Sequence, residues 1–370
     1  MLNYEYPPLG GGASPVTKSL SEELVKLGHI VDVVTMGFKG LKQEEEIGGV
    51  NVYRVPSIRK EQGVCRTHEM LSYCYSAYRF LPRLLNENKY DICHTHFIIP
   101  TGIVSYLYKS SIPYIITSHG SDVPNYNPDR FGILHKLLKP LWNEIIKNAE
   151  CITSPTDYLK NLILENFGEK NYRTNIEVIP NGINIENFTP HQKEKKILVV
   201  TRLFERKGVQ YVIEAMKDIS DYKLVICGDG PYKKNLIECI KRVGSNNIEL
   251  LGYVSSERLK YEYQTSSIFI FTSSAENFPV VLLEAMVSGC AIITTNVTGC
   301  PEVVGDTAIL IEPKSPDSIK NALNDLINDN ELRTKLGLNA RKRAENNFSW
   351  RKIALSYCQV YENVLGNKSS

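Results

Sequence analysis

No stretch of this chain is apolar over the ~18 positions that a membrane-crossing helix needs, and its N-terminus lacks the charged-then-apolar order of a secretory leader. Neither spanning nor secretion is indicated, and a cytoplasmic protein is expected. Charge of one sign is also missing: 43 Lys and Arg balance 41 Asp and Glu, a net +2, so no nucleic-acid footprint is implied. The nine cysteines form no C-x-x-C pair, and several sit in apolar runs such as Tyr222–Cys227. Buried, reduced thiols explain them better than zinc or a disulfide framework. There is no Asp-x-Asp pair of the kind a metal-bridged sugar-nucleotide site uses, and there are no low-complexity segments or short repeats.

What is present is an alternation of strand-like runs and helical patterns. Runs at 30–35, 91–95, 114–118, 151–154 and 177–179 form one series, and runs at 196–201, 224–227, 268–272, 291–295 and 308–311 form a second. This is a βα repeat with mostly parallel sheets, occurring twice, and 370 residues suit two domains. The seam is expected between Phe188 and Lys195, where Thr-Pro-His-Gln-Lys-Glu-Lys carries no apolar residue.

The most informative pattern is Glu276-Asn-Phe-Pro-Val-Val-Leu-Leu-Glu284, two carboxylates eight positions apart around the start of a helix. Proline suits a first helical position, so the helix is expected to begin near Pro279 and to be amphipathic, with Glu276 in the loop ahead and Glu284 inside. The amides of Asn277, Phe278, Pro279's neighbours and Val280, with the positive end of the helix dipole, suit a phosphate or a polarised sugar hydroxyl. The pattern follows a strand, where doubly wound folds place their ligands.

Near the front, Leu9-Gly10-Gly11-Gly12-Ala13 precedes a helix that Ser14 could cap and Pro15 begin, with Val16, Leu20, Leu24 and Leu27 as its apolar face and Gly28 as its stop. Glycines there let the backbone approach an anion. Such a loop should follow a buried strand, so Leu2–Tyr6 reads as a shortened first strand, or the start lies upstream. Arg202 and Lys207 both emerge after the strand at 196–201, placed to meet a diphosphate. Gly228-Asp229-Gly230 reads as a tight turn and more as scaffold than chemistry. His119-Gly120-Ser121-Asp122 ends another strand; the histidine could bond a sugar hydroxyl or shuttle a proton, and Asp122 could bind ligand or tune it. His94 and His96 alternate on one strand, but without a matching carboxylate or thiolate they read as packing rather than a metal site.

Taken in order, Tyr-Pro-Pro-Leu-Gly-Gly-Gly (6–12), His-Gly-Ser-Asp (119–122), Pro-Asn-Gly-Ile (180–183), Arg202 with Lys207-Gly208, Gly-Asp-Gly (228–230), Gly-Tyr-Val (252–254) and the Glu276/Glu284 element make the chain resemble the retaining glycosyltransferases of family 4. The resemblance implies a GT-B fold, two Rossmann-like doubly wound parallel-sheet domains facing a central cleft. An N-terminal acceptor domain over 1–190 plus 348–370 and a C-terminal donor domain over 191–347 are expected, because the family's last helices cross back.

The resemblance also implies that Arg202 and Lys207 clamp the donor diphosphate, that Glu284 binds the ribose and that Glu276 binds donor-sugar hydroxyls. His119 would line the reacting sugar, the Gly11–Gly12 loop would close over the diphosphate, and Gly228, Tyr253 and Val254 would meet the nucleotide. Asp122 is counted with the donor-binding set. A UDP- or GDP-sugar donor, a glycan or lipid-linked acceptor, no metal and no other cofactor follow from it, with attack on the same face and the anomeric configuration retained. A sugar-nucleotide epimerase or phosphorylase of the same fold, or a non-catalytic scaffold, are the rivals. Between Arg59 and Leu85, Arg59, Lys60, Arg66, Arg79 and Arg83 interleave with Tyr73, Tyr75, Tyr78 and Phe80, which suits either peripheral contact with the inner membrane face or an amphipathic helix on its own sheet.

Overall fold

Short β-branched runs separated by helices pair as parallel strands whose faces the helices cover, and both halves of the chain do this. The computed structural model describes residues 1–126, 128–167 and 175–366, without the side chains of 128–135. Two compact units emerge, Met1–Gly182 joined by the segment from Trp350 onward, and Ile183–Ser349.

The first unit contains β1 (Asp32–Met36), β2 (Glu44–Ile47), β3 (Val50–Val55), β4 (Cys93–His96), β5 (Tyr114–Thr117), β6 (Cys151–Ser154) and β7 (Asn175–Val178), with α1 (Ala13–Lys26), α2 (Thr67–Glu87), α3 (Gly102–Leu107), α4 (Pro128–Asn148) and α5 (Asp157–Phe167) between them. Strands pair as β2-β3-β1 and as β4-β5-β6-β7. Leu2 joins these two groups: it bridges Val34 on one side and Thr95 on the other, both in parallel. Its N–H donates to the His94 carbonyl at 2.8 Å and its carbonyl accepts from His96 at 2.9 Å. The residues at 1–3 thus lie in the middle of the sheet, and of the strand expected over Leu2–Tyr6 only Leu2 forms bridges.

The second unit contains β8 (Glu194–Val200), β9 (Lys223–Cys227), β10 (Ile248–Gly252), β11 (Ser266–Phe271), β12 (Ala291–Thr295) and β13 (Ala308–Ile311). Its helices are α6 (Val209–Ala215), α7 (Lys233–Val243), α8 (Ser256–Thr265), α9 (Val280–Val287), α10 (Cys300–Val304), α11 (Pro316–Asn328) and α12 (Asn330–Asn347). The sheet runs β10-β9-β8-β11-β12-β13, all parallel, so the winding reverses between β8 and β11. That reversal is the topological switch point where doubly wound sheets bind ligands. A final helix, α13 (Trp350–Gly366), returns to the first unit and packs on α1. Each sheet has an apolar layer on both faces, and β1, β5, β6, β11 and β12 are buried at every position, which is why they read as continuous apolar runs.

Several expectations shift. The seams fall at 182/183 and 349/350 rather than 190/191 and 347/348, because Ile183 and Phe188 are core residues of the second unit and the Ile183 N–H donates to the Phe348 carbonyl at 2.7 Å. Helix α1 starts at Ala13 with Gly12 as its N-cap; Ser14 instead donates its hydroxyl to the Leu9 carbonyl at 2.6 Å, and Pro15 lies within the first turn. Gly28 does end the helix, at φ +96°. The β2–β3 hairpin went unread because its outer strand is Glu44-Glu-Glu-Ile47, a charged edge, although Gly48-Gly49, both at positive φ, carry the two-residue turn signal. Eight of nine cysteines are buried and all are free.

Helix α12 crosses close to the end of α9 through Gly337, Ala340 and Ala344. A methyl group on Gly337 would sit 2.5 Å from the Gly289 carbonyl oxygen. Helix propensity alone favours Gly337→Ala by about 1 kcal/mol. The backbone clash reverses that sign, so the variant is expected to melt at a lower temperature than the wild type, and an unchanged or raised Tm by differential scanning calorimetry would refute this packing.

Candidate functional site

At the switch point of the second unit two loops leave neighbouring strands and lock together. After β8, the chain runs through Arg202 to the short 3₁₀ turn Glu205–Lys207 and then Gly208, which lies at φ +71° and where a Cβ would meet the Thr272 carbonyl at 2.5 Å. The loop after β11 answers: Thr272 donates its hydroxyl to the Lys207 carbonyl at 2.9 Å, and the Ser274 N–H donates to the Arg206 carbonyl at 3.0 Å. Across this seam the Lys207 ammonium pairs with the Glu276 carboxylate, both side chains largely buried. Ser273 donates to the same carboxylate oxygen at 2.8 Å.

Glu276 is fixed from behind by Thr298, a non-glycine residue at φ +46°. Its backbone N–H donates to Thr298 Oγ1 at 2.9 Å, while its carbonyl accepts from that hydroxyl at 2.6 Å and from the Gly299 N–H at 3.0 Å. Thr298 and Ser273 were not read from the sequence; the only signal was a Thr-Gly pair after a strand. Arg202 is exposed, with its guanidinium over the Phe204 ring at 5.3 Å, and no carboxylate pairs with it among the described residues.

Helix α9 begins at Val280 with Pro279 as its extended N-cap, one position later than the expected proline start. It is apolar nearly all round and packed within the core, not amphipathic, and Glu284 is its single charge. Burial pushes the Glu284 carboxyl up to about 7, with the Tyr263 hydroxyl acting in the opposite direction. Tyr263, itself fully buried on α8, is a neighbour that sequence spacing could not reveal. Asn277 is buried and Phe278 packs edge-on against Phe348.

Gly228 is held at φ +136° where any Cβ would be 1.8 Å from the Thr201 carbonyl, and a Cβ on Gly230 would be 2.4 Å from that of Leu203. The glycines let the β9–α7 loop lie against the β8–α6 backbone, with the Leu203 N–H donating to the Asp229 carbonyl at 3.0 Å. Gly252 accepts from the Gly228 N–H at 2.8 Å, Val254 is half-buried, and Tyr253 is 86% exposed. The second unit therefore brings Arg202, Lys207, Glu276, Asn277, Phe278, Pro279, Val280 and Glu284 onto loops and a helix around one switch point, with Gly228, Tyr253 and Val254 on the adjoining strand ends.

In the first unit the candidates lie at the carboxyl ends of the central strands. The Gly11 N–H donates to Glu5 Oε2 at 3.0 Å, and Glu5 also faces the buried Arg59 guanidinium at 3.5 Å; Gly12 has open space where a Cβ would be. Glu5 was not singled out from sequence. Arg59 is thus a structural residue rather than part of a surface cluster, and Tyr73 likewise is buried, donating to the Val34 carbonyl at 2.9 Å. Asp122 holds the loop that carries His119. Its carboxylate accepts from the Ile98 N–H at 2.8 Å, the Gly120 N–H at 2.9 Å, and the His119 N–H and Ser118 hydroxyl at 3.1 Å. Burial raises its carboxyl above the ordinary range, and these bonds oppose the rise.

His119 is partly buried, and desolvation lowers its imidazole to about 3, so it is neutral at physiological pH. His96 stacks on it with ring centroids 5.3 Å apart, and His94 stacks on His96 at 4.7 Å. Both ring nitrogens of His94 are occupied by hydroxyls, Tyr361 and Thr117, each at 2.7 Å. The packing reading of these two histidines matches their surroundings.

Residues 10–187 match the family described as Glycosyltransferase Family 4, and residues 183–343 match glycosyl transferases group 1. An uncharacterised glycosyltransferase of Methanocaldococcus jannaschii is 30% identical over 98% of this chain and 97% of its own. N-acetyl-alpha-D-glucosaminyl L-malate synthase of Bacillus anthracis is 26% identical over 97% of this chain and 96% of its own. The fold is also that of HepE of Anabaena, solved in complex with UDP and glucose, with a TM-score of 0.76, 17% identity and 98% of each chain covered. The two strand series, their order and these matches agree over nearly the whole length: the chain belongs to the family 4 glycosyltransferases, group 1 enzymes of the GT-B type.

Proposed function

We propose that this glycosyltransferase moves a hexose from a UDP- or GDP-sugar to a hydroxyl of a glycan or lipid-linked acceptor, without a metal and with retention, in the assembly of a surface polysaccharide or glycolipid. The observation that carries the reading is the Lys207–Glu276 pair at the switch point of the second unit, with Arg202, which no carboxylate pairs with among the described residues, on the same loop as Lys207. The two opposite charges satisfy each other across the seam between the loops. A donor would separate them: the diphosphate takes Lys207 and Arg202, and the sugar hydroxyls take Glu276.

The chemical demand is charge on the diphosphate as the glycosidic bond breaks. Two cations and the amides before α9 face that charge in fixed positions, which is where electrostatic preorganisation has its largest effect. Glu284 accepts the ribose hydroxyls, and His119 and the Gly11–Gly12 loop keep the roles that the family resemblance gives them. HepE, a GT-B neighbour, was solved with UDP and glucose, which supports a nucleotide-sugar donor without choosing the base. An epimerase, a phosphorylase or an inactive scaffold would leave acceptor-dependent transfer undetected.

On α2, Leu71, Tyr75 and Tyr78 form an exposed stripe with Ile58 beside them and Lys60 and Arg79 nearby, which supports peripheral contact with an anionic membrane face. Arg66 and Arg83 add less, being paired with Glu61 and with Glu44 and Glu87. No helix among the described residues is long and apolar enough to cross a membrane.

Three outcomes follow. Nucleotide release from a panel of UDP- and GDP-sugars should be acceptor-dependent and insensitive to EDTA with one donor, and Lys207→Ala should lower kcat about 10²–10³-fold; unchanged turnover in that variant refutes the clamp. Because burial raises the Glu284 carboxyl to about 7, the ionised acceptor is lost as pH falls through that value. Nucleotide Kd measured by calorimetry should therefore rise on acidification, by no more than about tenfold per pH unit, and Glu284→Gln should abolish the dependence. Vesicles containing phosphatidylglycerol should sediment the wild-type protein but not a Leu71→Ser, Tyr75→Ser variant; equal recovery of both removes the membrane assignment.

A further inference from the structure

The first unit holds a stack of three imidazoles, His94 and His96 buried and His119 partly so, and its hydrogen bonds are unequal. His94 is adaptable. Its Nδ1 meets the Tyr361 hydroxyl and its Nε2 the Thr117 hydroxyl, and Thr117 in turn meets Thr153 at 2.6 Å and Tyr357 at 2.9 Å. Hydroxyls turn to donate or accept, so either tautomer of His94 is satisfied.

His96 is not adaptable. Its Nδ1 lies 3.0 Å from His119 Nε2, and its Nε2 is buried with no partner. Burial drives the His94 and His96 imidazoles well below their ordinary range and the His119 imidazole to about 3, so each ring is neutral and one proton lies between His96 and His119. If His119 donated that proton, His96 would carry its own hydrogen on Nε2, a buried N–H without an acceptor. If His96 donates from Nδ1, its Nε2 is a bare lone pair. Orphaned buried N–H groups are rarer and costlier than unfilled acceptors.

We infer that His96 is a positioning residue that donates from Nδ1 to His119 Nε2, and so fixes His119 as the tautomer protonated at Nδ1, a hydrogen-bond donor toward a hydroxyl oxygen of the reacting sugar. The stack holds the two rings in the geometry of that bond. His94 presses on His96 with an interplanar angle of 17°, and His96 on His119 with one of 14°. Tyr357 and Tyr361 of α13 brace the far end through Thr117 and His94, so the ring planes have little freedom to turn. The sugar contact of His119 rests on the function proposed above, but the tautomer does not.

Long-range ¹H–¹⁵N correlation spectra of the full-length protein labelled at histidine read the tautomer directly, with the His119 signals assigned by their loss in His119→Gln. The expected wild-type spectrum has His119 protonated at Nδ1 and bare at Nε2. His96→Leu should shift His119 toward the Nε2-protonated or mixed form and lower kcat about tenfold or more, with KM for the nucleotide sugar changed less than about threefold. His96→Asn, whose amide N–H falls near the Nδ1 position, should restore both the tautomer and kcat. A wild-type His119 protonated at Nε2, or a His96→Leu protein in which His119 keeps its proton on Nδ1, overturns the inference. The predicted spectra in a protein that turns over no sugar nucleotide would uphold the tautomer and defeat the proposed function instead.

Discussion

Everything placed at the switch point of the second unit depends on one cross-loop ion pair, Lys207 with Glu276. β8 and β11 are neighbours in the sheet but far apart in sequence, and their following loops would diverge from the reversal between them. The pair, with the Thr272 hydroxyl on the Lys207 carbonyl and Ser274 on that of Arg206, draws the loops into one surface. Both partners are largely buried, so each would be costly to leave alone.

The scaffold beneath that pair is made of close backbone approaches rather than side-chain contacts. Gly208, Gly228 and Gly230 each lie where a Cβ would strike a carbonyl of the adjoining loop or strand end. Three loops are therefore stacked at main-chain distance, and the cations rise from a layer with little freedom to shift. Thr298 performs the same service for Glu276, clamping its N–H and its carbonyl with one hydroxyl.

The first unit solves a different problem, that of keeping an imidazole neutral and oriented. Asp122, though a carboxylate in a conspicuous motif, turns inward and shapes the loop with four accepted bonds. The histidines behind His119 are tied to α13, whose residues 350–366 follow the second unit in the chain but fold with the first. The return of that helix was expected from the family resemblance; its polar face of Tyr357 and Tyr361, directed into the sheet, was not.

Sequence by itself determined the two βα series, the buried all-apolar strands, the stop at Gly28 and the family. These depend on local periodicity, on turn residues and on motif order, all of which are written along the chain. It also placed Arg202, Lys207, Glu276 and Glu284 at strand ends and a helix start. It did not determine that Lys207 and Glu276 would touch, that Tyr263 would lie beside Glu284, that Glu5 would hold the Gly11 amide, or that Arg59 would be buried. Only the tertiary structure decided those, because each is a contact between segments from six to 69 residues apart whose meeting depends on strand order. A one-dimensional pattern records which face a side chain takes within its own element, and says nothing of which element lies opposite.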